Sequence, residues 1–205
     1  MPERPTLRTA RLVLRPFALS DADEVQRLAG DERIAATTLN VPHPYEDGMA
    51  EAWISTHQPQ FDAGKLRNFA ITLADSGELV GAIGLAIDPD TQIGELGYWV
   101  GVPHWGKGYC TEAARAVVQH GFSVGLQRIH AHYMASNLAS GRVMEKIGMT
   151  REGKLRQHVV KRGVRHDIVW FGMLADELED TRAQAARGAP ERSGEGPQRG
   201  AEGAV

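Results

Sequence analysis

The 205-residue chain has a single cysteine, Cys110. An intrachain disulfide is therefore excluded, and the fold must be held by its own core. No apolar stretch approaches the roughly 20 residues that a membrane-spanning helix needs. The polar opening segment, residues 1–9, lacks the apolar centre of a signal peptide. There is no block of basic residues either. The 23 Lys and Arg stand against 26 Asp and Glu, for a formal net charge of −3, which gives no electrostatic reason to bind nucleic acid. Internal repeats are absent. What remains is 42% hydrophobic and 24% charged, the balance of a globular protein. These absences predict a soluble, cytoplasmic chain with one well-buried domain, binding neither nucleic acid nor membrane.

Residues 182–205 turn to Gly, Ala, Arg and Glu with almost no large apolar residue. Such a segment buries too little surface to offset its ordering entropy. The expected organisation is a domain over residues 7–180 and a disordered tail over residues 181–205. Residues 11–17 alternate and predict a first strand. Ser20 is placed to cap a helix whose first turn holds Asp21, Asp23 and Glu24, with Leu19, Val25 and Leu28 on its apolar side. A second helical stretch carries Met49, Trp53 and Phe61. Strands are predicted at 68–73 and 79–87, joined by the hairpin turn Asp75-Ser76-Gly77-Glu78, and again at 93–100. A helix over 111–124 presents Ala113, Ala114, Val117, Val118 and Phe122 as one stripe and stops at Gly125. A strand at 128–134, a short helix at 138–147 and final strands at 150–160 and 164–174 complete the pattern. Helices alternate with strands only in part, and hairpins flank the central unit. That predicts a mixed α/β (α+β) sheet.

The most informative segment is Trp105-Gly106-Lys107-Gly108-Tyr109-Cys110-Thr111-Glu112-Ala113, between a predicted strand and a predicted helix. Two glycines at such a turn can offer bare backbone N–H groups to a phosphate, and the helix adds the positive end of its dipole. The turn is not a P-loop, because Gly-x-x-x-x-Gly-Lys-Ser/Thr does not occur. It is not a dinucleotide fingerprint, because no third glycine follows at the required offset. Alone, it reads equally as a plain tight turn. Its neighbours are Leu96-Gly97-Tyr98-Trp99-Val100 upstream and Asn137-Leu138-Ala139-Ser140-Gly141-Arg142-Val143-Met144-Glu145-Lys146-Ile147-Gly148 downstream. Together these segments resemble the GNAT acyl-CoA N-acyltransferases, and within them the RimJ/RimL-like branch. The resemblance covers residues 12–174. Trp105 stands at the first polar position of the family's Gln/Arg-x-x-Gly-x-Gly/Ala pattern, Cys110 where Gly or Ala is usual, and Met149 where Phe is usual. None of these departures removes a donor that a pyrophosphate needs.

The resemblance implies the GNAT fold: one mixed, mostly antiparallel sheet of about six to seven strands flanked by helices, with a splayed parallel central pair. It implies an N-acetyltransferase that moves an acetyl group from acetyl-CoA to a primary amine, on a small molecule or a protein N-terminus. Attack would be direct, in a ternary complex, and no metal is expected. The implied cofactor-binding positions are the backbone of Gly106, Lys107, Gly108, Tyr109, Cys110 and Thr111 for the pyrophosphate. For the pantetheine arm they are the strand at Tyr98, Trp99 and Val100, and Asn137. Gly94 and Gly97 are poor strand formers and predict a bulge or a close backbone approach there.

Transfer to an amine needs loss of a proton, a stabilised tetrahedral intermediate and a stabilised or protonated thiolate. Glu95 is the first candidate for the base, sharing a strand face with Gly97 and Trp99. The other reading is an ordinary exposed carboxylate. Ser140 reads as donor to the thioester sulfur or as a surface serine, and Asn137 as pantetheine partner or as helix cap. Cys110 reads as packing and not as a nucleophile, because no His-Asp arrangement accompanies it. His130 and His132 share a face but lack the partners of a metal site. Trp53, Phe61 and Trp99 read first as core residues, and Trp53 and Phe61 fall in the segment that walls the acceptor site in relatives. A monomer and a homodimer both remain open. The rival functions are a non-catalytic acyl-CoA-binding module and a nucleotide-binding regulator.

Overall fold

The computed structural model describes residues 3–178, and the expected disordered tail lies outside them. The strands are β1 (Leu7–Arg8), β2 (Leu12–Arg15), β3 (Leu66–Leu73), β4 (Leu79–Asp88), β5 (Ile93–Val100), β6 (Arg128–Met134), β7 (Thr150–Lys161) and β8 (Val164–Leu174). They form one eight-stranded sheet in the order β1-β2-β3-β4-β5-β6-β8-β7. The helices are α1 (Ala22–Ala29), α2 (Glu32–Thr37), α3 (Met49–Ser55), α4 (His57–Asp62), α5 (Tyr109–Ser123) and α6 (Leu138–Lys146). The architecture is that of the GNAT fold: mixed α/β, mostly antiparallel, with one parallel pair, β5 and β6.

Period-two patterning sorts the core into two layers. Phe69 and Ile71 of β3 and Ile83 and Leu85 of β4 face α5, joining Leu12, Leu14, Val117 and Ile129. Their neighbours Ala70 and Ala82 face the other way, against Phe17, Val25, Leu28 and Ile54. Small residues on that second face let α1 and α3 sit close to the sheet.

The parallel pair is short. It runs only from Ile93 opposite Arg128 to Glu95 opposite His130. Beyond Glu95, β5 stays with β4 as far as Val100 opposite Gly81, and β6 stays with β8 as far as Met134 opposite Ile168. The sheet therefore opens between them. The bulge expected in β5 is absent, because its register with β4 is unbroken. Gly94 serves close packing instead: a Cβ there would lie 2.8 Å from Cδ1 of Leu126. Gly97 borders open space, with nothing within 4 Å of a built Cβ.

Several expectations need correction. Ser20 does not cap a helix. A 3-10 turn spans Leu19–Asp21, α1 starts at Ala22, and Leu19 is 60% exposed. Asp21 organises this bend: its carboxylate accepts the Ala18 N–H at 2.8 Å and pairs with Arg15 at 2.7 Å. The expected second helix is two, α3 and α4, and β1 and α2 were not foreseen. The helix after the glycine turn begins at Tyr109, because Gly108 in the left-handed region is its N-cap.

His57 is buried between Phe17 and Trp53, with ring centroids at 5.5 and 4.5 Å, and its Nε2 accepts from Asn68 Nδ2 at 3.0 Å. Burial, with a contribution from Arg4, pushes the imidazole down from 6.5 to about 4. The unfolded chain then takes up a proton between those values that the folded ring refuses, so stability is lost as pH falls through this window. The loss is at most about 3 kcal/mol. Urea midpoints at pH 7 and pH 4.5 should drop less in His57→Gln than in wild type. Equal drops would remove His57 as the responsible group.

Candidate active site

The opening in the sheet carries unpaired backbone. Gly101 N–H donates to Val80 O at 2.8 Å, and the Trp99 carbonyl packs against Gly81 of β4. Strand alternation then turns the backbone of Leu96, Tyr98 and Val100 away from β4: the Leu96 N–H closes the parallel pair at His130, while the Leu96 carbonyl and the Tyr98 and Val100 groups face the gap that β6 has left. The Val100 carbonyl is occupied, accepting from Trp105 Nε1 at 2.6 Å. Of the three strand positions expected to pair with a ligand arm, Tyr98 and Val100 thus face the opening with their backbone. Trp99 faces it only as a side chain lining the cleft.

At the wide end of the opening sits the glycine turn. Gly106 (φ 76°) and Gly108 (φ 81°) are both left-handed, a conformation strained for any residue with a Cβ. Among the described residues, no protein acceptor is paired with the backbone N–H groups from Gly106 through Thr111. They include the orphan donors of the first turn of α5, where the helix dipole is positive. Such a run of free donors at a helix start has the chemistry to hold an anion. The Cys110 thiol is pushed up to about 12 by burial, so it is protonated at neutral pH. Lys107 is exposed, and its carbonyl is engaged by Arg11 Nη1 at 3.0 Å.

Arg11 is a site residue that sequence reading missed. Its Nε donates to Glu112 Oε2 at 2.7 Å, and its guanidinium lies 4.9 Å from the Tyr109 ring centroid. Glu112 Oε1 also accepts from the Thr9 hydroxyl at 2.7 Å and from the Arg11 N–H at 2.9 Å. Burial pushes the Glu112 carboxyl up, but Thr9 and Arg11 outweigh it and hold the group below its usual range. The clamp ties the N-terminal hairpin to the glycine turn. Glu112 in a first helical turn was a visible signal, whereas nothing local marks Arg11 as its partner.

The opposite wall is α6. Asn137 caps it: Oδ1 accepts from Ser140 N–H at 3.2 Å, while Nδ2 donates to Thr37 O at 3.0 Å. Ser140 Oγ lies 2.9 Å and the Ser140 carbonyl 3.2 Å from the Tyr98 hydroxyl. Either hydroxyl can donate across the 2.9 Å contact, and when Tyr98 donates, the serine proton is left for the cleft. Burial pushes the phenol up, keeping it neutral.

These groups line one cleft of about 1260 Å³. The glycine turn, Tyr98, Asn137 and Ser140 line one part. Val41, Tyr45, Trp53 and Trp99 form an apolar wall elsewhere in it, with Glu95 and His132 also facing the cleft. Phe61, from the segment that walls the acceptor site in relatives, is covered by the Arg67 guanidinium at 4.3 Å and does not line the cleft, whereas Trp53 and Trp99, expected first as core, do line it. Glu95 Oε1 lies 3.3 Å from His132 Nδ1. Among the described residues no group of three or more His, Cys, Asp or Glu is placed to hold a metal, and no helix is long and apolar enough to cross a membrane.

The chain belongs to the GNAT acetyltransferase family. The profile described as an acetyltransferase (GNAT) domain matches residues 11–150. The N-acetyltransferase p20 of Bacillus licheniformis, itself uncharacterised, is 31% identical over 175 residues, covering 84% of this chain and 97% of that one. A GNAT-family acetyltransferase structure from Bacillus anthracis superposes with a TM-score of 0.74 at 27% identity, over 84% of this chain and 99% of the other. Mycobacterium smegmatis RimJ, solved in complex with CoA-disulfide, gives 0.74 at 25% identity, over 86% and 89%.

If the clamp holds the turn rigid, Arg11→Ala should loosen it. Backbone order parameters from 15N relaxation should fall at Gly106–Thr111 from about 0.85 toward 0.6, while β5 stays unchanged. Unchanged values at the turn would show that the glycine loop is rigid without Arg11.

Proposed function

We propose that the chain is a cytoplasmic N-acetyltransferase of the RimJ/RimL-like branch, transferring an acetyl group from acetyl-CoA to a primary amine by direct attack in a ternary complex. The run of unpartnered N–H groups from Gly106 to Thr111, at the positive end of α5 and beside the open edge of β5, carries this reading. The residues present suit the cofactor. The cradle is bare because Gly106 has no side chain, and a Cβ there would fill open space where a pyrophosphate fits. Acetyl-CoA supplies the acyl group already activated as a thioester. Gly106 through Thr111 hold its pyrophosphate, worth up to about 2 kcal/mol from the helix end alone. The Leu96 and Tyr98 backbone offers amide partners to the extended arm. Ser140, with Tyr98 behind it, stands where a hydroxyl can stabilise the departing sulfur.

The acceptor amine enters from the Glu95 side of the sheet. Val41, Tyr45, Trp53 and Trp99 wall that part of the cleft, and Glu95 is the one carboxylate lining it among the described residues. This combination favours a single ammonium carried beside an apolar group, as on a protein N-terminus or a small-molecule monoamine, over a polyamine with several charges. M. smegmatis RimJ, solved in complex with CoA-disulfide, is consistent with the cofactor assignment.

A thermal-shift comparison should show stabilisation by CoA and none by ATP or NAD. The substitution Gly108→Glu, which places charge and a side chain on a left-handed residue, should abolish CoA binding; unchanged affinity would refute the cradle. An acetyl-transfer screen over peptides with varied N-termini, amino acids, polyamines and aromatic monoamines should release CoA thiol with the apolar monoamines or peptides. Tight acetyl-CoA binding without release for any amine would favour a non-catalytic binding module.

A further inference from the structure

We infer that Nε2 of His132 receives the proton of the acceptor ammonium, with Glu95 acting as its positioning residue and not as the base. The inference rests on the acetyltransferase reading above. Glu95 and His132 both line the cleft, on the edges of β5 and β6 just where the sheet opens. The two nitrogens of His132 differ sharply in surroundings. Nδ1 is buried, and Glu95 Oε1 lies beside it at 3.3 Å. Nε2 is not buried, and no hydrogen bond engages it among the described residues.

An ionised carboxylate can only accept, so the neutral imidazole turned toward it carries its proton on Nδ1. The lone pair is then on Nε2, the nitrogen open to the cleft. Trp170 holds the ring plane, with centroids 4.8 Å apart and planes at 30°. His130 shares the face and also stacks on Trp170, but it does not line the cleft, and burial pushes it down, so it stays neutral. Arg128 of β6 and Glu152 of β7, the charged groups near His130, are spent on one another at 2.7 Å, and Glu95 is the carboxylate beside His132. At 3.3 Å the Nδ1–Oε1 pair is close but not aligned as a hydrogen bond, and Nδ1 has no other partner; unliganded catalytic contacts are commonly poorly aligned and tighten when substrate binds.

In the step proposed, an ammonium N–H bond breaks and an Nε2–H bond forms. The freed nitrogen lone pair then makes the bond to the acyl carbon. As the C–S bond breaks, its electron pair leaves on sulfur, and the second proton lost by the nitrogen ends on that thiolate. The imidazolium returns its proton to water.

Two experiments test this. With an amine from the screen, His132→Gln should lower kcat at least about 100-fold, the range of general-base catalysis, with CoA affinity kept as the check on folding. Glu95→Gln should lower kcat less, about tenfold. Equal or reversed losses would overturn the assignment and make Glu95 the base. Independently, 15N imidazole shifts of the resting protein should show His132 with its proton on Nδ1, and Glu95→Gln should remove that preference. A proton on Nε2 in wild type would overturn the inference. This readout needs no turnover, so it can fail while the acetyltransferase reading stands, and the reverse.

Discussion

Backbone N–H and C=O groups that leave a sheet must find other partners, and this requirement shapes the centre of the molecule. β5 parts from β6 after Glu95, leaving the Leu96 carbonyl and the Tyr98 and Val100 groups turned toward a gap. The strand does not collapse into that gap because β4 holds its other edge in unbroken register, while β8 holds β6. An extended ligand with amides of its own can complete the edge at little ordering cost to the protein. Trp105 closes the gap's far end by donating its indole N–H to Val100. The glycine turn that follows is placed by the same strand.

The walls around the opening are tied by contacts between segments far apart in sequence. Arg11 and Glu112 bind the N-terminal hairpin to the first turn of α5. Asn137 joins the start of α6 to the Thr37 carbonyl at the end of α2. Lys161 donates to the carbonyls of Ala35 and Thr38, and Arg162 pairs with Glu32 at 3.3 Å. The β7–β8 hairpin is thereby tied down over α2, beside residues 37–42, which line the cleft. Surface pairs of this kind add little to global stability one by one. Their effect is geometric, since they hold loops that no continuous core supports.

Legibility in the sequence followed the range of the forces involved. β5, β6 and β8 were readable to the residue because apolar strands ended in unambiguous turns. The glycine turn and the helix after it were readable because the two glycines, the helix and the downstream Asn137–Ser140 segment form a local motif. β1 and α2 were not, being only two and six residues long, too short for periodicity to show. Ser20 and Asp21 compete as caps by propensity, and Arg15, reaching across the bend to Asp21, decides between them. Gly94 was legible as a close approach but not as a packing site for Leu126. Alternation gave the faces of Glu95 and His132 separately. Their meeting depends on the register of β5 with β6, set by a crossover through α5 that no local pattern encodes. Trp53 and Phe61 share a segment and composition, yet a break at Thr56 sends one to the cleft and the other beneath Arg67.

The central claim is that the parted strands and the glycine turn form one continuous binding surface for acetyl-CoA. The most direct measurement is an amide chemical-shift titration of the 15N-labelled protein with CoA. The account predicts saturable shifts concentrated at Leu96, Tyr98 and Gly106–Thr111, moving together with a single affinity. Shifts confined elsewhere, or absent from the β5 edge and the turn at saturating CoA, would contradict it.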